Sequence, residues 1–422
     1  MAGAGDNTNN KKKSIAAFFP SEPVYKVLVI VMALLAIAFL AMIAIVKAFP
    51  AGLTMALIAV MFVMFILSWF LMGRGKRPAR ICGLLVAVLF LAGYGLATYY
   101  LGTTYTALAK MTAGNEANTA DSGFDISKDA FNVYITGIDM WNHEKGLDLE
   151  RSDVNMIVTV CPETRKILLT SIPRDSYVKL HTAGQMDKLT HTGVYGVDET
   201  LNTVHDWLGV DLNYYVKVNF TSVMKIISAI GGIRVESPKA FESSISKYKY
   251  KKGWNNMGGK KALYFARERK AFNNEDAIRV ENQQRVFKAV LDKMTTSSTL
   301  LTKYDDLLAI AADDLETNMP MSDMQKLVRM QLADLRTWDI QSQKITGEYD
   351  MDYVASLTQE QKFQIYRTDS DSVADCVKNI NAVMNPTAEE LEQVEEEKMK
   401  ANFINFLRNL SGGNNTEEES EE

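Results

Sequence analysis

Three apolar runs near the start of the chain constrain its fold more than any other feature. Val27–Val46, Ala51–Met72 and Ile81–Leu101 contain no charged residue. Each is close to the ~20 residues a helix needs to cross a hydrocarbon layer of ~30 Å. An unpaired backbone amide is very costly in hydrocarbon, so such a run is expected to be helical. A cleavable signal peptide fits the first run poorly. The run exceeds a typical apolar signal core, and two further runs follow it with no clear small-x-small cleavage site. The expectation is an anchor of three transmembrane helices.

Flanking charges give the anchor a direction. Lys11, Lys12, Lys13 and Lys26 precede the first run, and Arg74, Lys76, Arg77 and Arg80 stand between the second and third. The connection after the first run carries only Lys47. Basic residues favour the cytoplasmic side. The N-terminus and the 74–80 loop are therefore expected inside, and the chain beyond Leu101 outside. The expected organisation is a cytoplasmic segment (1–26), an anchor in the lipid bilayer (27–101), a linker (102–124), an extracellular domain (125–385), and a helix with an acidic tail (386–422).

The outer segment reads as an ordinary folded domain. Phe131–Ile138, Met156–Val160 and Lys166–Ile172 are short, β-branched and apolar, with a turn at Pro162-Glu163 between the last two. Val197–Leu208 suits an amphipathic helix ending at Gly209, and Tyr214–Val218 suits a strand. Ser222–Ile230 suits a helix stopped by Gly231-Gly232, after which Ile233–Val235 is extended. Pro386 to about Leu410 suits a further helix. Strands alternating with helices imply an α/β fold with helices covering a central sheet, whose strand directions stay open at this point.

Cys161 and Cys376 are the only cysteines in this segment. Two buried thiols are the preferred reading over a disulfide, and their spacing fits no zinc pattern. The net charge of −5 argues against a nucleic-acid partner.

Four clusters carry chemistry. In Ala262–Val290, Arg267 and Arg269 follow an apolar run; Asp276, Arg279, Gln283 and Val286 then share one helical face. That face fits a solvated helix, a salt-bridge scaffold or a site for an anionic group. SIPRDSY (Ser171–Tyr177) places Arg174 and Asp175 directly after a strand, where functional side chains meet a rigid scaffold. Asp139 ends one strand, while Asp153, in Arg151-Ser152-Asp153, precedes another. Lys188 and His191 form the fourth cluster. Guanidinium forks suit phosphate oxygens, and aspartates suit magnesium, so the pattern points to phosphoryl chemistry. No P-loop, G-x-S-x-G elbow or HExxH site is present.

These clusters, in order and spacing, resemble the LytR-CpsA-Psr family of bacterial cell-envelope proteins. The resemblance rests on RSD (Arg151–Asp153), SIPRD (Ser171–Asp175), K-x-x-H (Lys188–His191) and DLNYYVKVNF (Asp211–Phe220). IGGIRV (Ile230–Val235), ALYFARER (Ala262–Arg269) and D-x-x-R-x-x-x-Q (Asp276–Gln283) complete it. It implies a three-layer α/β/α sandwich, with a mixed or antiparallel sheet and an apolar pocket for a polyprenyl chain.

The resemblance also implies a Mg²⁺-dependent phosphotransferase, with Mn²⁺ as the alternative ion. Such an enzyme moves an anionic glycopolymer, of the teichoic-acid or capsule type, from an undecaprenyl-pyrophosphate carrier to a muramic-acid hydroxyl of peptidoglycan. Asp139 and Asp153 match the metal carboxylates. Arg174, Arg267, Arg269 and Arg279 match the pyrophosphate-binding arginines, and Asp276 and Gln283 the remaining polar positions, with Lys188 as a further ligand-binding residue. The family commonly has an arginine soon after the first aspartate, where this chain has Met140-Trp141-Asn142. The lipid-linked glycopolymer, peptidoglycan and the bilayer are the expected partners, with other envelope-synthesis proteins as further candidates. The rival readings are a pyrophosphatase acting on the same carrier and a non-enzymatic lipid-binding regulator.

Overall fold

The computed structural model describes residues 22–46, 51–73, 77–112, 124–138, 152–271, 275–295, 315–334, 336–357 and 360–410, with Leu307 and Ile310 besides. The chain forms two compact units. One is Met1–Ala113 with Met324–Asp334; the other is Gly114–Asp323 with Leu335–Glu422.

In the first unit, α1 (Glu22–Val46), α2 (Ala51–Gly73) and α3 (Arg77–Thr112) are each long and apolar enough to cross a membrane. Met32, Phe39, Met61, Phe90 and Tyr94 pack between the three helices. Leu34, Ile37, Val63, Trp69 and Leu89 point outward, as a lipid-facing surface requires. The few polar groups are satisfied within the bundle. The Ser68 hydroxyl donates to the Gly83 carbonyl at 3.0 Å, and the Tyr94 hydroxyl to the Leu57 carbonyl at 2.8 Å. Helix α3 runs well past Leu101, the end of its apolar run. Thr98, Thr104 and Thr106 donate back to carbonyls four residues earlier, at 2.7, 2.8 and 3.1 Å, which lets polar residues continue the helix.

The second unit is built on a six-stranded sheet. It begins with β1 (Phe131–Ile138), β2 (Ser152–Cys161) and β3 (Lys166–Ile172), which form an antiparallel meander. A small hairpin of β4 (Tyr177–Lys179) and β5 (Met186–Lys188) leads into the short α4 (Leu189–Thr192) and then α5 (Val197–Leu208). Next, β6 (Tyr214–Asn219) returns parallel to β1. Beyond it come α6 (Phe220–Ala229), β7 (Ile233–Ser237), β8 (Phe241–Glu242), β9 (Lys249–Tyr250), β10 (Gly253–Met257), α7 (Gly259–Arg267) and α8 (Glu275–Met294). The remaining elements of this unit are β11 (Leu315–Thr317), β12 (Asp339–Lys344), the hairpin of β13 (Gly347–Asp352) and β14 (Phe363–Thr368), α10 (Ser370–Met384) and α11 (Ala388–Leu410), while α9 (Met321–Ala333) falls mostly within the first unit.

The sheet order is β11-β6-β1-β2-β3-β12. Strand β12 is parallel to β3, and β6 to β1, while β11 is antiparallel to β6. The sheet is therefore mixed. The C-terminal ends of β1, β3, β6 and β12 meet the N-terminal ends of β2 and β11 along one edge.

Helices cover both faces. Leu168 and Ile172 pack with Val204, Leu208, Cys376 and Ile380 of α5 and α10. Gln343 of β12 points the same way, donating to the Cys376 carbonyl at 3.0 Å, while its neighbour Lys344 points to α8 and pairs with Glu281 at 2.6 Å. This is why every residue of β3 from Ile167 to Ile172 is buried. Cys161 and Cys376 are free, buried thiols.

Two glycine features fix the second layer. Gly231 and Gly232 take φ of +79° and +87°, closing the turn from α6 into β7. At Gly259 a Cβ would stand 2.2 Å from the Met224 carbonyl oxygen, so only glycine lets α7 cross α6 this closely.

Helix α3 enters the expected 102–124 linker, and two boundaries near the sheet edge also differ from the sequence expectation. Strand β2 starts at Ser152 rather than Met156, so Asp153 stands inside the strand and not before it. Its polar start is held by hydrogen bonds. Thr136 Oγ1 meets Ser152 Oγ at 2.7 Å, Ser152 bonds Asn155, and the Tyr134 hydroxyl donates to Asn155 Oδ1 at 2.6 Å. Helix α6 starts at Phe220 rather than Ser222, because Asn219 caps it, its Oδ1 accepting from Ser222 N–H at 2.8 Å.

Candidate functional site

The C-terminal edge of the sheet gathers the charged motifs. Strand β3 ends at Ile172, and Pro173–Ser176 form a turn in which Ser176 N–H donates to the Pro173 carbonyl at 3.1 Å. The turn is pinned from both sides: the Arg174 carbonyl accepts from Thr190 N–H and the Asp175 carbonyl from Tyr366 N–H, each at 2.8 Å. With its backbone held, Arg174 reaches across to the start of β2. Its Nη1 lies 2.6 Å from Asp153 Oδ1, and its Nε lies 3.4 Å from Asp175 Oδ2. Lys188, the last residue of β5, places Nζ 3.5 Å from Asp175 Oδ1. All four side chains are partly open to solvent, between 15% and 26% exposed. These ions are positioned by the fold yet accessible to a ligand.

Arg267 and Arg279 approach this edge by different routes. Arg267 closes α7 and lies over the Phe220 ring at 4.9 Å. Phe220 directly follows Asn219, whose register partner in β1 is Ile138, and Ile138 in turn faces Ser152. Helix α8 runs antiparallel to β12. Glu281 meets Lys344, Gln284 donates to the Gln343 carbonyl at 2.5 Å, and Lys288 bonds the Ile340 carbonyl. Its N-terminal half therefore lies at the same edge as Ser171, the register partner of Lys344. Arg279 is only 6% exposed, which removes the solvated-helix reading of this face, and Gln283 one turn on is half-buried. Asp276 lies in the first turn of α8, but its side chain is outside the described residues, as are Asp139 and Arg151.

Arg269 is placed through its neighbour. The Glu268 carboxylate is fully buried and accepts from the backbone N–H groups of Ser244, Arg269 and Ala271 at 2.7, 3.1 and 3.2 Å, and from the Ser244 hydroxyl at 2.7 Å. Burial pushes this carboxyl up, but the hydrogen bonds outweigh it and hold it below its usual range. Glu281 behaves alike: burial raises it, while the bond from Lys344 and the charges of Lys344 and Arg285 lower it further.

His191 does not join Lys188. It turns into the core, only 5% exposed, with Nδ1 at 2.6 Å from Asp187 Oδ1 and 2.8 Å from Ser356 Oγ. A Ser-His-Asp relay needs serine and aspartate on opposite ring nitrogens. Here both meet the same one, so this trio is a structural knot rather than a nucleophile with its base.

Among the described residues no three His, Cys, Asp or Glu side chains cluster as a metal cage. Magnesium does not need one, since it keeps several waters and binds through one or two carboxylates plus phosphate oxygens. Asp153 fits that use: Oδ1 is engaged by Arg174, and Oδ2 has no ion pair or hydrogen bond among the described residues.

The family model described as the LytR_cpsA_psr family matches residues 98–379. The chain belongs to this family. The matched segment of this LytR_cpsA_psr protein contains all the residues of the sheet edge.

The chain is 34% identical over 230 residues to the polyisoprenyl-teichoic acid–peptidoglycan teichoic acid transferase TagU of Bacillus licheniformis, covering 54% of this chain and 69% of that one. It is 31% identical over 274 residues to TagU of Bacillus subtilis, covering 64% and 83%. The crystal structure of TagV from B. subtilis superposes with a TM-score of 0.50 at 27% identity, over 62% of this chain and 99% of that one.

Sequence reasoning on this LytR_cpsA_psr chain missed some of what holds the site. Asp175 was visible only as the neighbour of Arg174, although it bridges Arg174 and Lys188. Phe220, which carries the Arg267 guanidinium, gave no signal in isolation. The Glu281–Lys344 pair, which sets the position of α8, joins residues 63 apart.

Proposed function

We propose that this protein is a transferase that moves an anionic glycopolymer from a polyprenyl-pyrophosphate carrier to peptidoglycan, forming a phosphodiester. The observation that carries the reading is Arg174, held between Asp153 and Asp175 at an edge where Arg267 and the N-terminal half of α8 converge. The transferase names of the relatives support it.

The chemistry follows from the charges. The acceptor hydroxyl attacks the phosphorus bonded to the glycan, the bond from that phosphorus to the bridging oxygen breaks, and polyprenyl phosphate leaves with the electron pair. The hydroxyl proton passes to a carboxylate of the site or to solvent. Arg174, Arg267, Arg269 and Arg279 hold non-bridging oxygens and offset the charge that develops between nucleophile and leaving group. Lys188 adds a point charge beside Asp175. Gln283 supplies an amide on the same helix as Arg279. Asp153, with Asp139 as its partner, is assigned to hold Mg²⁺, which when bound neutralises phosphate charge. The helices α1–α3 anchor the enzyme in the cell membrane. The basic flanks assign the N-terminus to the cytoplasm and the sheet domain to the outer face, where the carrier's polymer and peptidoglycan meet.

The test is transfer of labelled lipid-linked glycan to peptidoglycan by the full chain in detergent micelles. Arg174→Ala is expected to lower the rate by about 100-fold, the effect of losing one transition-state donor. Release of free polymer phosphate without ligation would favour a pyrophosphatase instead. Carrier binding without turnover would favour a lipid-binding regulator.

A further inference from the structure

The two-stranded ribbon of β7 and β10 turns one face inward and one outward. Ile233, Val235 and Met257 are buried with Phe265 of α7 and Val286 of α8. Between them Arg234, Trp254 and Asn256 face solvent, and Trp254 is 50% exposed. The Arg234 guanidinium lies on the Trp254 ring at 4.8 Å. Lys249 and Lys251 flank the pair from the β9 side, and Lys261 from the first turn of α7, where its Nζ lies 5.4 Å from the Tyr250 ring. These residues line a groove of about 670 Å³ with no carboxylate among the described residues of its wall. The acids beside it are Glu242, 3.5 Å from Lys249, and Glu236, the register partner of Trp254.

The groove has a fixed frame. Buried Asn255 accepts from Lys251 N–H at 3.0 Å and donates to the carbonyls of Lys251 and Gly253, each at 2.8 Å, so the turn that presents Lys251 is set before any ligand arrives. Exposed cations around an open aromatic ring contribute little to folding. They suit a polymer whose repeats alternate a sugar or polyol with a phosphate: the ring meets the apolar face of the former, the cations the oxygens of the latter. Position supports the match. Lys261 and Arg267 stand at opposite ends of α7, six residues apart, or about 9 Å along the axis.

We propose that this groove is a polymer subsite that holds the phosphate-bearing repeats of the donor while the sheet edge holds its pyrophosphate. The proposal rests on the transferase reading and names where the polymer chain runs. The exposed Asn256 amide, which can bond sugar or polyol hydroxyls, favours a polymer over a lipid surface.

The test uses the full chain in nanodiscs with two lipid-linked donors, one carrying a single repeat and one carrying many. In the variant Arg234→Gln/Lys251→Gln/Lys261→Gln, KM for the long donor is expected to rise about tenfold, with KM for the short donor and kcat for both unchanged. Equal changes with both donors, or none, would overturn the subsite. Failure of the unaltered chain to transfer either donor would overturn the transferase reading instead. In that case fluorescence anisotropy with labelled poly(glycerol phosphate) still reads the groove, and about tenfold weaker binding by the variant sustains it, whereas unchanged binding overturns it. Brominated lipids that quench the emission lost in Trp254→Phe would assign the groove to the membrane and overturn the proposal.

Discussion

Two clusters, each built on aspartate with a basic partner, sit side by side, joined through β5, and serve opposite ends. Arg174, Asp153, Asp175 and Lys188 stand at the sheet edge, partly exposed, with Asp153 Oδ2 making no bond among the described residues. Asp187, His191 and Ser356 are closed: both oxygens of the fully buried Asp187 are used, accepting from Lys188 N–H at 2.7 Å, from Ser356 N–H at 2.8 Å and bonding His191. Adjacent residues Asp187 and Lys188 even point into different clusters, because alternate side chains of an extended strand face opposite ways. The lesson is that charge in a motif marks a site only where the fold leaves some of its bonding capacity open. Where that capacity is filled inside the core, the same residues serve architecture.

The sharpest way to break this contrast is to neutralise one aspartate from each cluster. Asp153→Asn is expected to cut glycan transfer about 100-fold while the melting temperature of the full chain shifts by no more than a few degrees. A large loss of stability with normal specific activity would reverse the assignment. Asp187→Asn is expected to do the opposite: about 2–3 kcal/mol less stable in chemical unfolding, with the folded fraction transferring at the normal rate.

A smaller effect refines the contrast through pH. Burial pushes the Asp187 carboxyl up, but the bonds from His191, Ser356 and Lys188 hold it below its ordinary value. A carboxyl depressed on folding contributes stability above its unfolded pKa and loses it as pH falls through the folded one. The stability gap between the unaltered chain and Asp187→Asn should therefore narrow as pH drops below about 4. A gap that stays constant in unfolding curves across that range would show that Asp187 acts by shape alone.

Much of the fold was legible because its signals are local. The apolar runs of α1 to α3, the buried strand β3 and the Gly209 and Gly231-Gly232 helix stops are each written within a few residues. Strand β2 was cut short because Ser152, Asp153 and Asn155 read as loop. They are strand residues: Asn155 and Ser152 bond Tyr134 and Thr136 of β1, and Asp153 pairs with Arg174. The site was legible in part. SIPRD marked Arg174 through its place after a strand, but K-x-x-H grouped Lys188 with His191, and the fold separates them.

The sequence by itself determined that the chain has three helices able to cross a membrane, an α/β domain, and arginines and aspartates spaced for phosphate. Only the tertiary structure decided which charges meet. Parallel pairing of β1 with β6 and of β3 with β12 brings strand ends from distant parts of the chain to one edge, and the antiparallel course of α8 sets Arg279 beside it. Local pattern reports what a segment can bury, whereas the meeting of charges depends on long-range register, which no single segment encodes.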